Sequence, residues 1–260
     1  QTWTKIDNIK GVPNLSYTNS VYLSKHDINV IYVAFNHHKF GDFKPYIYKS
    51  SDQGKTWESI SNNLPERGSV YSIEEDHINK DLIFCGTEFG VFFSPNSGDR
   101  WKELGNGLPT IAVRDITIQE RENDLVLGTF GRGFYVLDDY SSLRSIEDYY
   151  SSTNSSIFDV RDPLMWERSM PLGLPGKAFQ GDNFYSATNL GPVAMITYYH
   201  NDNFRSLKSI RQKREKELIK NNKDASYPSY EDLYIESNEF KDQLIFTIKN
   251  SDGLVVKKVF

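Results

Sequence analysis

Short runs of β-branched and aromatic residues recur along the first half of the chain, divided by clusters of Gly, Pro, Asn and Asp. In such a pattern the apolar runs read as strands and the clusters as turns. Within one unit the runs predict strands over residues 70–74, 82–87, 91–94 and 100–104, the four-stranded sheet of a propeller blade. The unit repeats. Trp57-Glu58-Ser59-Ile60 returns as Trp101-Lys102-Glu103-Leu104, and Pro65 and Pro109 are separated by the same interval as those two tryptophans. Val70-Tyr71-Ser72-Ile73 matches Val113-Arg114-Asp115-Ile116, and residues 81–87 match 124–129. Repetition on this scale is the signature of propeller blades. Trp3-Thr4-Lys5-Ile6 reads as the tail of a further copy that begins before residue 1.

After residue 146 the blade pattern stops. Residues 147–190 read as a linker or crossover, and 191–260 as the start of a second, β-sandwich-like domain. There the stretch from about 205 to 222 places Leu207, Ile210, Leu218 and Ile219 along one helical stripe. Glu215 and Glu217 interrupt its basic residues, so the charge reads as a solvated face. Residues 244–248 and 254–259, joined through Asn250-Ser251-Asp252-Gly253, predict a hairpin with an Asp-Gly turn. The expected fold class is all-β: a partial propeller over 1–146, holding the end of one blade, two full blades and part of the last, then a β-sandwich-like domain with one inserted helix.

The turns before the repeated tryptophans carry the most specific motif. Ser50-Ser51-Asp52-Gln53-Gly54-Lys55-Thr56-Trp57 and Ser94-Pro95-Asn96-Ser97-Gly98-Asp99-Arg100-Trp101 both resemble the Asp box, Ser-x-Asp-x-Gly-x-Thr-Trp. A tight hairpin needs an acceptor for its inward N–H groups, which Asp52 or Asn96 supplies. It also needs a positive φ, supplied by Gly54 or Gly98, and a ring to pack on the blade, supplied by Trp57 or Trp101. Ser50, Thr56 and Ser94 add hydroxyls; Arg100 in place of threonine loses one.

Composition removes several function classes. A formal net charge of -5 gives no electrostatic drive towards nucleic acid or an anionic membrane surface. No run approaches the roughly 18 apolar residues of a membrane span. The single cysteine, Cys85, sits in an apolar run and reads as a small buried residue. Gly128, Gly131 and Gly133 fall in the wrong order for a dinucleotide fingerprint and precede a strand pattern, so no nucleotide or other cofactor is expected.

With these turns in place, Asn123-Asp124-Leu125-Val126-Leu127-Gly128-Thr129-Phe130-Gly131-Arg132-Gly133-Phe134-Tyr135-Val136-Leu137-Asp138-Asp139 resembles the last blade of bacterial sortilin-like, BNR-repeat propellers, often labelled glycosyl hydrolases. Ile157-Phe158-Asp159-Val160-Arg161 is similar to the segment that leaves such a propeller, and Gly191-Pro192-Val193-Ala194-Met195-Ile196-Thr197-Tyr198-Tyr199 to the start of the β-sandwich after it. The resemblance implies an extracytoplasmic protein, whether secreted, periplasmic or on the cell surface. It also implies a glycan or peptide ligand, and further blades or another copy of the chain as neighbours.

Strand alternation sorts the candidate residues. Turns joining first to second and third to fourth strands share one end of the blades; turns joining second to third strands, and the links between blades, share the other. The Asp boxes belong to the first end and read as turn formers. The opposite end collects His37, His38, Asp42 and Lys44, then Glu88 and Phe89, then Phe130 and Arg132, with Glu66, Arg67, Arg114 and Asp115 from the links and strand starts; of these, His37, His38, Asp42, Arg67, Glu88, Arg114 and Arg132 are the candidate ligand-binding residues. A glycosidase needs two carboxylates about 5–10 Å apart, and Glu66, Glu88 and Asp115 are the candidates for catalysis. Adjacent histidines on an extended loop point apart, so His37 and His38 are not expected to hold a metal. Three functions fit: a binding propeller, which leads, a glycoside hydrolase, and an architectural module. An aromatic-lined groove on the second end favours the first over the third.

Overall fold

The computed structural model describes residues 3–6, 8–147, 155–163, 165–167, 191–200, 205–240 and 244–259. The chain divides into two compact units, Gln1–Tyr199 and His200–Phe260.

The first unit is made of antiparallel meanders. Tyr17–Leu23 (β1), Ile31–His37 (β2), Asp42–Ser50 (β3) and Glu58–Ser59 (β4) form a four-stranded sheet in sequence order. Val70–Glu75 (β5), Ile83–Thr87 (β6), Gly90–Ser94 (β7) and Lys102–Glu103 (β8) form the second. Val113–Gln119 (β9), Asp124–Thr129 (β10) and Phe134–Leu137 (β11) form a third, three-stranded sheet with β10 in the middle. Three successive meanders packed face to face make this an all-β partial propeller. The fourth strand of the second blade is shorter than the expected 100–104, although Leu104 still donates its N–H to the Val91 carbonyl at 2.9 Å. Trp3-Thr4-Lys5-Ile6 forms no strand, and Trp3 is 95% exposed. A fourth-type strand requires a third strand to pair with, and none precedes it among the described residues.

The β6 strand shows how the blades are held together. Side chains alternate across a strand, so Ile83 and Cys85 pack with Tyr32, Ala34 and Ile47 of the first blade, while Phe84, with Leu82 just before the strand, packs with Val113, Ile116, Leu125 and Leu127 of the third. Burial pushes the Cys85 thiol well above its ordinary range. At the end of β5 two buried carboxylates bridge neighbouring blades. Glu75 accepts from Ser24 Oγ at 2.7 Å, Lys25 N at 3.0 Å and Tyr32 OH at 3.2 Å. Asp76 accepts from Tyr140 OH at 2.5 Å and from Arg144 Nε and Nη2 at 2.9 and 2.8 Å. Burial opposes the Asp76 charge, but Arg144 and Tyr140 outweigh it and hold the carboxyl below its ordinary value.

The 147–190 linker lies largely outside the described residues; Ser155–Ile157 (β12) there pairs with Tyr198–His200 (β13). The described part of the second unit contains the helices Leu207–Lys220 (α1) and Tyr230–Ser237 (α2), and the hairpin of Phe246–Lys249 (β14) with Val255–Val259 (β15). The second helix adds to the single one expected. Its start is a reciprocal cap, in which Ser229 and Asp232 satisfy each other's backbone N–H groups. Arg211 joins the two helices, its Nε and Nη2 donating to Glu236 at 2.5 and 2.9 Å.

Candidate ligand-binding face

The two ends of the blades are distinct in their hydrogen bonding. At one end Gln53 N donates to Asn29 O at 2.9 Å and Ser97 N to Asp81 O at 2.7 Å, joining third-to-fourth turns with first-to-second turns. At the other, Gly68 N donates to Phe43 O at 2.8 Å, Glu88 N to Ser69 O at 3.1 Å and Phe130 N to Ala112 O at 2.9 Å, joining second-to-third turns with the links between blades.

The 50–57 and 94–101 turns lie at the first end. Asp52 Oδ1 accepts from Ser50 Oγ and Thr56 N, both at 2.8 Å, and Oδ2 accepts from Thr56 Oγ1 at 2.6 Å. The Thr56 bonds, followed by that from Ser50, hold the Asp52 carboxyl down to about 2. Asn96 makes the equivalent bonds to Ser94 Oγ and Arg100 N at 2.9 Å, without a counterpart to the Thr56 hydroxyl. Gly54 N and Gly98 N both donate to the serine that opens their turn, Ser50 and Ser94. Trp57 Nε1 bonds within its own turn to Gly54 O at 3.0 Å, whereas Trp101 Nε1 reaches back to Ile60 O at 2.7 Å.

The second end is organised by a feature the strand pattern does not announce. Pairing of β1 with β2 shifts register at Asn19, that of β5 with β6 at Tyr71, and that of β9 with β10 at Arg114. A bulge leaves one residue out of the ladder and re-aims its side chain. The repeat thereby puts Asn19, Tyr71 and Arg114 at equivalent places on three consecutive blades. Gly86 lets the backbone beside the last of these approach the second blade, since a Cβ there would lie 2.6 Å from the Val113 carbonyl oxygen and 2.5 Å from Ser72 Oγ.

The three bulged residues are used differently. Asn19 is held inside the fold, donating to Val70 O at 2.6 Å and accepting from Asn36 Nδ2. Tyr71 is half-buried; burial and the nearby Glu88 raise its hydroxyl against the opposing charge of Arg114. The Arg114 guanidinium lies 3.7 Å from the Tyr71 ring centroid and 5.4 Å from that of Phe130. One blade earlier, Arg67 lies 5.3 Å over Phe43, and at the first blade Phe40 stacks on His37 with centroids 4.4 Å apart. Phe40, Phe89 and Phe130 remain 59%, 49% and 70% exposed.

The structure places the other candidates on the same end. His37 closes β2, with Nδ1 3.2 Å from Ser16 Oγ, and His38 begins the 3-10 turn His38–Phe40. Asp42 is engaged by its own strand: the Tyr46 hydroxyl at 2.5 Å and Lys44 N at 3.1 Å hold its carboxyl below the ordinary value. Glu66 and Arg67 lie in the β4–β5 link, Glu88 in the β6–β7 turn and Arg132 in the β10–β11 turn. Asp115 follows the third bulge and accepts from Ile116 N at 3.0 Å. Among the described residues no cluster of His, Cys, Asp and Glu is arranged to hold a metal ion. Sequence reasoning passed over Asn19, Phe40, Phe43 and Tyr71. The available signal was the match of Tyr71 with Arg114 in the repeat, a position where two large polar-tipped residues replace each other in an otherwise apolar strand.

No family model matches the chain, and no curated protein does. Among solved structures it is similar to the GH74 enzyme of Niastella koreensis, with 19% identity over 47% of this chain and 21% of that one and a TM-score of 0.41. The GH74 xyloglucanase from Xanthomonas campestris matches at 13% identity over 49% of this chain and 22% of that one, with a TM-score of 0.39. YCF48 bound to D1 peptide matches at 16% identity over 48% of this chain and 37% of that one, with a TM-score of 0.36. The chain thus spans about a fifth of the length of the two GH74 enzymes.

Proposed function

We propose that this chain is part of an extracytoplasmic, sortilin-like propeller with Asp-box (BNR) repeats, and that it binds a peptide or glycan on the end of the blades opposite the 50–57 and 94–101 turns. The observation that supports this reading is the set of exposed rings Phe40, Phe89 and Phe130 on adjacent blades, interleaved with the stacked arginines Arg67 and Arg114. Rings left in water forgo the stabilisation that burial brings, and a row of them beside fixed cations is a recognition surface. Glu66, Glu88 and Asp115 share this end, but rings and guanidinium groups recognise a ligand without requiring chemistry on it. No helix among the described residues is long and apolar enough to cross a membrane. The test is to probe glycan and peptide arrays with the chain and with the double variant Phe89→Ala/Phe130→Ala. Ligands bound by the parent and lost by the variant, at unchanged thermal midpoint, are expected. Equal binding by the two proteins sinks the reading.

A further inference from the structure

Resting on that reading, we propose that Arg114 anchors an acidic saccharide, receiving the carboxylate of a uronate residue whose sugar ring lies against Phe130.

The bulge row supplies the starting point. Of its three residues, Asn19 spends its side chain inside the fold, and Tyr71 offers a ring as a floor. Arg114 is exposed and stacked, and among the described residues its guanidinium has ring partners but no ion-pair partner. Resting against Tyr71 and Phe130, the guanidinium has no hydrogen-bond acceptor on its N–H edge among the described residues. That edge is a planar fork matched to the two oxygens of a carboxylate. Because the ring already restrains the side chain, binding loses less rotamer freedom than it would at a free surface arginine.

The rim is not a general basic patch. Glu88 stands close enough to act on Tyr71, and Asp115 follows Arg114 directly. Recognition therefore depends on the geometry of the fork and on what lies beside it. Beside it is Phe130, 5.4 Å from the guanidinium and largely in water. A uronate joins a carboxylate to a ring with an apolar face, so one residue can fill both places.

Within the rim turns the backbone favours a saccharide over an extended peptide. Extended peptides that add as a strand are held largely through main-chain hydrogen bonds to a free edge. On this rim Gly68, Glu88 and Phe130 donate their N–H groups to neighbouring carbonyls, and Phe89 N donates to Thr87 Oγ1 at 3.3 Å. What remains presented at these positions is side chains.

The experiment is a calorimetric titration of the chain with an oligogalacturonate, the neutral oligogalactoside of equal length, and an acidic peptide. It is repeated with Arg114→Gln and Arg114→Lys, with near-ultraviolet dichroism as the control for folding. The acidic oligosaccharide is expected to bind at least about tenfold tighter than the neutral one, the preference vanishing in Arg114→Gln and only partly returning in Arg114→Lys. If Arg114→Gln misfolds, Phe130→Leu tests the sugar contact, and an unchanged affinity overturns the proposal. Equal binding of acidic and neutral saccharides, or a preference that survives Arg114→Gln, also overturns it while leaving the binding-face reading intact. Binding of the acidic peptide alone overturns the saccharide assignment. Binding of none of the three overturns it too, and the array result then decides the broader reading separately.

Discussion

Asp52 and Asn96 occupy equivalent turns, yet only Asp52 brings a charge that the fold holds. Hydrogen bonds to the ionised carboxylate, led by those from Thr56, lower its pKa from an ordinary value near 4 to about 2. A depressed carboxylate stabilises the fold fully above its unfolded pKa, and the contribution is lost as pH falls through the folded one. Asp52→Asn is therefore expected to melt lower than the parent near neutral pH, with the gap closing between about pH 4 and pH 2. A gap that stays constant over that range, read from thermal midpoints, would show that the charge contributes nothing. Gly86 acts at the same scale through absence: it lets the Val113 backbone, which flanks the third bulge, approach the second blade.

At the scale of elements, three tryptophans that look alike in sequence have different surroundings. Trp101 is buried and donates to Ile60 O, which ties the second blade to the end of the first. Trp57 is half-buried and bonds within its own turn. Trp3 stands in water. Large-to-small substitution in a packed site costs the transfer of the ring plus the cavity left behind. Trp101→Ala is expected to lose about 3–5 kcal/mol in denaturant unfolding, and Trp3→Ala to stay within about 0.5 kcal/mol of the parent. Equal losses for both would mean that the 3–6 segment packs as a strand in solution. The short strands β4 and β8 follow from the same turns, which take residues that would otherwise extend the ladder.

At the scale of the molecule, propellers close a ring of four to eight blades around a channel, and three blades supply an arc of it. A glycosidase site needs two carboxylates set across the bond. The chain by itself is accordingly expected to leave aryl glycosides uncleaved; turnover abolished by Glu88→Gln would refute that and put catalysis first. Much of the architecture was legible in the residues. Apolar runs between turn clusters marked β5, β6 and β7, and the repeat of Val70-Tyr71-Ser72-Ile73 as Val113-Arg114-Asp115-Ile116 marked successive blades, because strand period and turn chemistry are local properties. The hydroxyl and carboxylate pattern of 50–57 was equally local. The bulges were not, since a residue leaves a ladder only with respect to a partner strand, and the close approach of Val113 beside the third depends on Gly86 in the neighbouring blade. Nor could the sequence separate Trp3 from Trp101 or show Arg114 lying on Tyr71. Those outcomes depend on which strand lies alongside and which blade packs above, and packing between segments distant in the chain is decided only when the blades come together.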